Sequence, residues 1–97
     1  MLNMPADQTT DGHAEVDAQR RRLRWRSRRG LLENDILLTR FLDRFEQELA
    51  ESEVAGLHRL LDESDNDLLD LVLARREPDG RLATPDVLRV LELIRSI

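Results

Sequence analysis

Apolar residues recur at helical spacing along most of this chain. Leu38, Phe41, Leu42, Phe45 and Leu49 follow i, i+3, i+4, i+7 and i+11, one face at 3.6 residues per turn. They predict a helix over about residues 32–49, with Glu33 and Asp35 in its first turn, where backbone dipoles favour negative charge. Val54, Leu57, Leu60 and Leu61 predict a shorter helix over residues 52–61, capped by Ser52. Gly56 lies inside it, at a cost of about 1 kcal/mol relative to Ala. Ser64 caps a fourth helix, with Asp67 three residues on in a capping-box arrangement, and its body LLDLVLARR is stopped by Pro78 and Gly80. Thr84 before Pro85 opens a fifth helix, whose buried face is Val87, Val90, Leu91 and Ile94. Ahead of all these, good helix formers over about residues 15–29 predict a first helix. Gly30 ends it in the left-handed conformation, and its apolar residues are only Val16, Leu23 and Trp25. No segment alternates apolar and polar residues as a half-buried strand does. The expected fold is all-α: a small five-helix bundle over residues 15–97 behind a disordered tail, residues 1–14, which lack periodicity.

Size and composition narrow the function classes. With 97 residues, 40% hydrophobic and 36% charged, the chain forms one domain. A chain this short buries only about 60–65% of its unfolded surface and leaves no room for a catalytic cleft between lobes. The absence of Cys removes disulfides, thiolate metal sites and thiol catalysis. No apolar run approaches the roughly 18–20 residues of a membrane span. Residues 1–19 hold no Arg and four acids (Asp7, Asp11, Glu15, Asp17), unlike a secretory leader or a transit peptide, and a bacterial cytoplasmic location is expected.

Charge is distributed unevenly. The 15 basic residues are all Arg, against 20 acidic ones, for a net −5. The stretch RRRLRWRSRR, residues 20–29, carries seven Arg, so the remainder carries −5 − 7 = −12. A net-acidic chain is a poor general nucleic-acid binder, because phosphate neutralisation supplies most of that affinity. Its only aromatics, Trp25, Phe41 and Phe45, are too few to stack single strands. A local basic strip still suits an acidic protein surface.

Catalytic constellations are lacking. The histidines are His13 and His58; His58 and Asp62 share a helix face but read as half-exposed helix residues. The run DESDND, residues 62–67, lacks the central Gly and distal Glu of a calcium loop and reads as a capped helix start. Ser27 and Ser96 have no histidine placed to activate them, and Gly12, Gly30, Gly56 and Gly80 stand singly rather than in a phosphate loop. No catalytic residue and no metal ligand is assigned, and the chain is not expected to be an enzyme.

The segment Arg28-Arg29-Gly30-Leu31-Leu32-Glu33 carries two readings. It is a helix–helix corner, in which Gly30 caps, Leu31 and Leu32 pack, and Arg29 pairs with Glu33 for under about 1 kcal/mol. It is equally a recognition point: glycine admits another backbone, Arg offers a planar fork for a carboxylate or phosphate, and Glu offers an acceptor.

At this corner the chain resembles a known family. Trp25, Arg28-Arg29-Gly30, Glu33 and Asp35 are similar to the W…RRGxxExD signature of the small SdhE-type FAD-assembly factors of succinate dehydrogenase, with their RGxxE motif. A second block, Leu60-Leu61-Asp62 followed by Asp65, Asp67 and Leu68, is similar to the family's LLxxxDxDL segment. Two departures stand out: Leu71 where many members carry an aromatic, and Ala50 where members carry a Ser or Thr cap. The resemblance covers about residues 20–95. It implies a five-helix bundle without catalytic groups that binds the flavoprotein subunit of succinate dehydrogenase, and often that of fumarate reductase. It further implies that the bundle promotes covalent attachment of FAD to a histidine of that partner. No cofactor is intrinsic on this reading, FAD being handled on the partner, and the free chain is a monomer. The implied partner-binding residues are Arg28, Arg29, Gly30, Glu33, Trp25 and Asp35. Arg29 then pairs with a partner carboxylate, and Arg29→Ala or Gly30→Arg abolishes flavinylation with melting nearly unchanged. The rival reading is an Arg-rich helical adaptor for RNA or another acidic partner, binding through Arg20–Arg29 with steep salt dependence.

Overall fold

The computed structural model describes residue 15 and residues 17–97; the tail assigned to residues 1–14, including His13, and Val16 lie outside the described residues. Five helices follow in order, and no strand occurs among the described residues. They are α1 (residues 17–26), α2 (Leu32–Phe45), α3 (Glu51–Leu61), α4 (Asp65–Val72) and α5 (Pro85–Arg95), with a single 3-10 turn at Gly80–Leu82 before α5.

The apolar stripes meet as the spacing predicts. Leu38, Phe41 and Leu42 of α2, Val54, Leu57, Leu60 and Leu61 of α3, Leu68 and Leu71 of α4, and Val87, Val90, Leu91 and Ile94 of α5 form one buried core. Phe45 packs on Phe41 at 5.4 Å between ring centroids. Among α2–α5 the α3–α5 pair makes the most extensive contact, and Gly56 explains how the two axes approach so closely. A Cβ on Gly56 would lie 3.0 Å from the carbonyl carbon and 3.1 Å from the oxygen of Asp86, at the start of α5. Those are backbone atoms and cannot step aside. Gly56→Ala gains about 1 kcal/mol of helix propensity but forces α3 and α5 apart, an overpacking cost of about 1–3 kcal/mol. The expected result is a melting temperature lower by a few degrees; a rise on thermal denaturation would show that the close approach is not limiting.

Several boundaries differ from expectation. The first helix ends at residue 26 rather than 29, although Ser27 N–H still donates to Leu23 O at 2.9 Å. Gly30 is not in the left-handed region, where, among the described residues, only Gly80 (φ 56) and Ala74 (φ 61) lie. The corner therefore does not need glycine for its backbone conformation. α2 stops at Phe45, and Glu48 and Leu49 fold back onto the Phe45 carbonyl at 2.8 and 3.1 Å, which keeps Leu49 buried in helical register. Ser52 is not the cap of α3. Ala50 occupies that position, and the Glu53 carboxylate accepts from Ala50 N–H at 2.8 Å. α4 ends at Val72, well before Arg76, because Ala74 turns left-handed and sends the Arg75 N–H back to Asp70 O at 2.8 Å. Ser64 and Thr84 cap as expected, accepting from Asp67 N–H (3.2 Å) and Val87 N–H (3.3 Å), with Pro85 in the first helical turn.

Candidate functional site

α1 supplies a single fully buried apolar residue, Leu23, among the described residues, so apolar packing alone cannot hold it. Arginines do. Arg20 donates to Glu46 O (2.6 Å), at the C-cap of α2, and to Leu49 O (2.9 Å), in the α2–α3 connection. Arg24 pairs with Asp43 (2.8 Å) and Glu46 (3.0 Å). Burial acts to lower the Arg24 pKa, but the hydrogen bonds and charges of the two carboxylates outweigh it and the guanidinium is held above its usual value. Arg26 reaches α3, donating to His58 O at 3.2 Å and pairing with Asp62 at 2.6 Å. It also donates to His58 Nδ1 (3.0 Å), which leaves His58 Nε2–H to donate to Gln19 O (2.9 Å). Both ring nitrogens of His58 are thus spent tying α3 to α1, and Asp62, the other half of the sequence pair, belongs to Arg26. Among the described residues no group of three or more acidic, His or Cys side chains is arranged to hold a metal.

Arg29 does the same at the corner. Its Nε donates to Asp65 Oδ1 at 2.6 Å, one terminal nitrogen donates to Leu61 O at 2.7 Å, and the other donates to Glu63 O. Only 14% of its side chain is exposed. The expected Arg29–Glu33 pair does not form; Arg29 faces into the molecule. Asn34, which the sequence reading passed over, is fully buried beside it and donates from Nδ2 to Asp65 O at 2.8 Å. Asp65 therefore takes Arg29 on its side chain and Asn34 on its carbonyl. The two sequence blocks, RRGxxExD and LLxxxDxDL, are the two jaws of one clamp between the α1–α2 and α3–α4 corners.

The outer side of the clamp is open. Gly30 and Glu33 are exposed, and Glu33 forms no ion pair among the described residues. A Cβ on Gly30 would meet only Asp65 Oδ2, at 3.5 Å, an ordinary contact. Neither backbone conformation nor crowding inside the molecule demands glycine there. Trp25 is 76% exposed and shares the outer face of α1 with Arg21 and Arg22, at i−4 and i−3, and Arg28 is exposed in the turn that follows. Asp35 is half-buried, and with Arg28 and Ser27 it lines a cleft between α1 and α2. Of the six residues expected at the site, Trp25, Arg28, Gly30 and Glu33 present outward, Asp35 lies at the edge, and Arg29 holds the others in place from behind. The basic strip divides in the same way: Arg20, Arg24, Arg26 and Arg29 are engaged inside the bundle, while Arg21, Arg22 and Arg28 remain exposed.

The chain is similar to known proteins over most of its length. The family model described as flavinator of succinate dehydrogenase matches residues 21–97. The FAD assembly factor SdhE of Ralstonia nicotianae is 51% identical over 89 residues, covering 92% of this chain and 94% of that protein. SdhE of Legionella pneumophila (strain Paris) is 31% identical over 78 residues, covering 80% of this chain and 92% of its own length. The mitochondrial succinate dehydrogenase assembly factor 2 of Scheffersomyces stipitis is 44% identical over 54 residues, 55% of this chain and 36% of that protein. No solved structure matches.

Proposed function

Because the chain belongs to the family of flavinators of succinate dehydrogenase, we propose that it binds the flavoprotein subunit of that enzyme and promotes covalent attachment of its FAD. The observation that carries this reading is the outer side of the clamp: an exposed glycine that the fold itself does not require, one turn from an exposed, unpaired Glu33. Glycine there admits a partner backbone, and Glu33 takes a partner Arg or backbone N–H. Docking by a few fixed contacts is the mode this small surface supports.

The bundle acts without catalytic groups of its own. A helper of this kind accelerates a reaction only by binding one conformation of its partner more tightly than the others. The favoured conformation is the one that aligns flavin and acceptor histidine within the flavoprotein. FAD is cargo of the partner on this reading, the fumarate reductase flavoprotein is a second client, and the free chain is monomeric. Among the described residues no helix is long and apolar enough to cross a membrane.

Deleting the gene and supplying it back in trans tests the reading, with covalent flavin fluorescence of the flavoprotein subunit on a denaturing gel as readout. Fluorescence falls on deletion and returns on complementation. Unchanged flavinylation in the deletion strain would remove the assignment. RNA binding lost on neutralising the exposed Arg21 and Arg22 would favour the adaptor reading instead.

A further inference from the structure

Leu32 (65% exposed), Ile36 (44%) and Leu73 (45%) are three of the large hydrophobic side chains left in solvent. They lie together. Ile36 and Leu37 on α2 face Leu69 and Leu73, on α4 and at its C-terminal end, and the four line an open groove of about 260 Å³ between the two helices. Leu32 stands one turn before Ile36, on the same side of α2. The groove's single charged lining residue is Glu33, the same carboxylate that the clamp leaves unpaired. An aliphatic trough with one free acid at its lip has a definite complement. Apolar surface gathered in this way marks a binding site more often than a chance exposure.

We propose that this groove receives an apolar side chain from the docking segment of the flavoprotein, and that a neighbouring Arg or Lys of that same segment pairs with Glu33. Charge complementarity at the lip and continuity with the Gly30–Glu33 corner select this occupant over a purely apolar one. The inference rests on the docking reading above and extends it: the interface runs from the corner along α2 to the end of α4. The groove supplies area and Glu33 supplies register, the division of roles seen where an anchor residue fills a pocket inside a polar rim.

Leu73→Asp and Ile36→Asp place a carboxylate at the groove without touching the core. Each is compared with the parent and with Glu33→Arg for binding to the purified flavoprotein subunit of the same organism. Circular dichroism and melting are recorded for every variant. The groove variants are expected to bind at least about tenfold more weakly, with helicity and melting close to the parent. If Leu73→Asp disturbs the end of α4, Ile36→Asp decides alone, because it sits in mid-helix on an exposed face. Parent-like binding by the groove variants beside a loss for Glu33→Arg overturns the groove and leaves the corner reading standing. Failure of the parent itself to bind removes both. A concentration-dependent dimer on size exclusion, abolished by Leu73→Asp, would make the groove a contact between copies of this chain and overturn the proposal.

Discussion

Replacing Arg29 with alanine is expected to lower the melting temperature by roughly 10–20 °C. The side chain joins two corners through three acceptors: Asp65 Oδ1, the Leu61 carbonyl at the end of α3 and the Glu63 carbonyl in the turn before α4. Removing it leaves one helix-terminal carbonyl, one turn carbonyl and one carboxylate without their donor. Breaking a fully buried pair costs about 3–5 kcal/mol. Here Asp65 is partly exposed and water can re-enter beside Gly30, so about 2–4 kcal/mol is appropriate. One kcal/mol shifts the midpoint of a domain this size by about 4–8 °C, and total stability is only about 5–15 kcal/mol. Lysine keeps the charge but presents a point rather than a fork, and reaches at most part of the three-way arrangement. Arg29→Lys should therefore recover less than half of the loss. Asp65→Ala should give a smaller loss, and the double variant should fall short of the sum, because both changes break the same clamp. A parent-like melting curve for Arg29→Ala would show that the three contacts contribute nothing net.

This revises what the sequence suggests. Read through the family resemblance, Arg29 pairs with a partner carboxylate, and its removal spares the fold. In the folded chain its donors are engaged by Asp65 and by the Leu61 and Glu63 carbonyls, which holds the backbone that carries Gly30 and Glu33. Loss of flavinylation in Arg29→Ala then follows from a loosened corner. It should be partly restored at low temperature, where the variant is still folded, which deletion of a direct contact would not allow.

The core was legible because hydrophobic contrast is high in α2 through α5. Leu38-Phe41-Leu42-Phe45 and Val87-Val90-Leu91-Ile94 can face only one way. The caps at Ser64 and Thr84 were legible because their chemistry is local. The Arg strip was opaque for the opposite reason. In RRRLRWRSRR seven of ten positions are Arg, on every side of the helix, so their periodicity assigns no face. One signal was available: Leu23 marks the inner side of α1, and its neighbours at i−3 and i+3 are Arg20 and Arg26, both engaged inside the bundle. The Arg29–Asp65 contact joins residues 36 apart and has no local signature. Each block stands out on its own, but nothing in their spacing says that they touch. Ala74 in the left-handed region was likewise hidden, since that conformation normally announces itself with glycine.

The corner itself separates docking from folding, and the largest functional loss is expected there. Glu33→Arg reverses an exposed, unpaired charge one turn from Gly30; losing a favoured acid from the first turn of α2 costs about 0.3–1 kcal/mol, so melting should fall by only a few degrees and the bundle should stay folded. Truncating one partner of a desolvated interfacial charge pair costs about 2–5 kcal/mol, and reversal costs no less. Affinity for the flavoprotein should then fall by roughly 30-fold or more, and covalent flavin should be lost at cellular concentrations. Gly30 provides a graded version of the same test. Its Cβ position is free of backbone neighbours and its φ lies outside the left-handed region. Gly30→Ala should therefore fold at least as well as the parent, through a less flexible unfolded chain. If a partner backbone lies against the Cα, binding falls stepwise from Gly through Ala to Arg while melting stays level. If binding and melting fall together along that series, glycine serves the chain's own turn and the corner is no docking point. Level melting with level binding, in both the Gly30 and Glu33 variants, would place the flavoprotein on another face of the bundle.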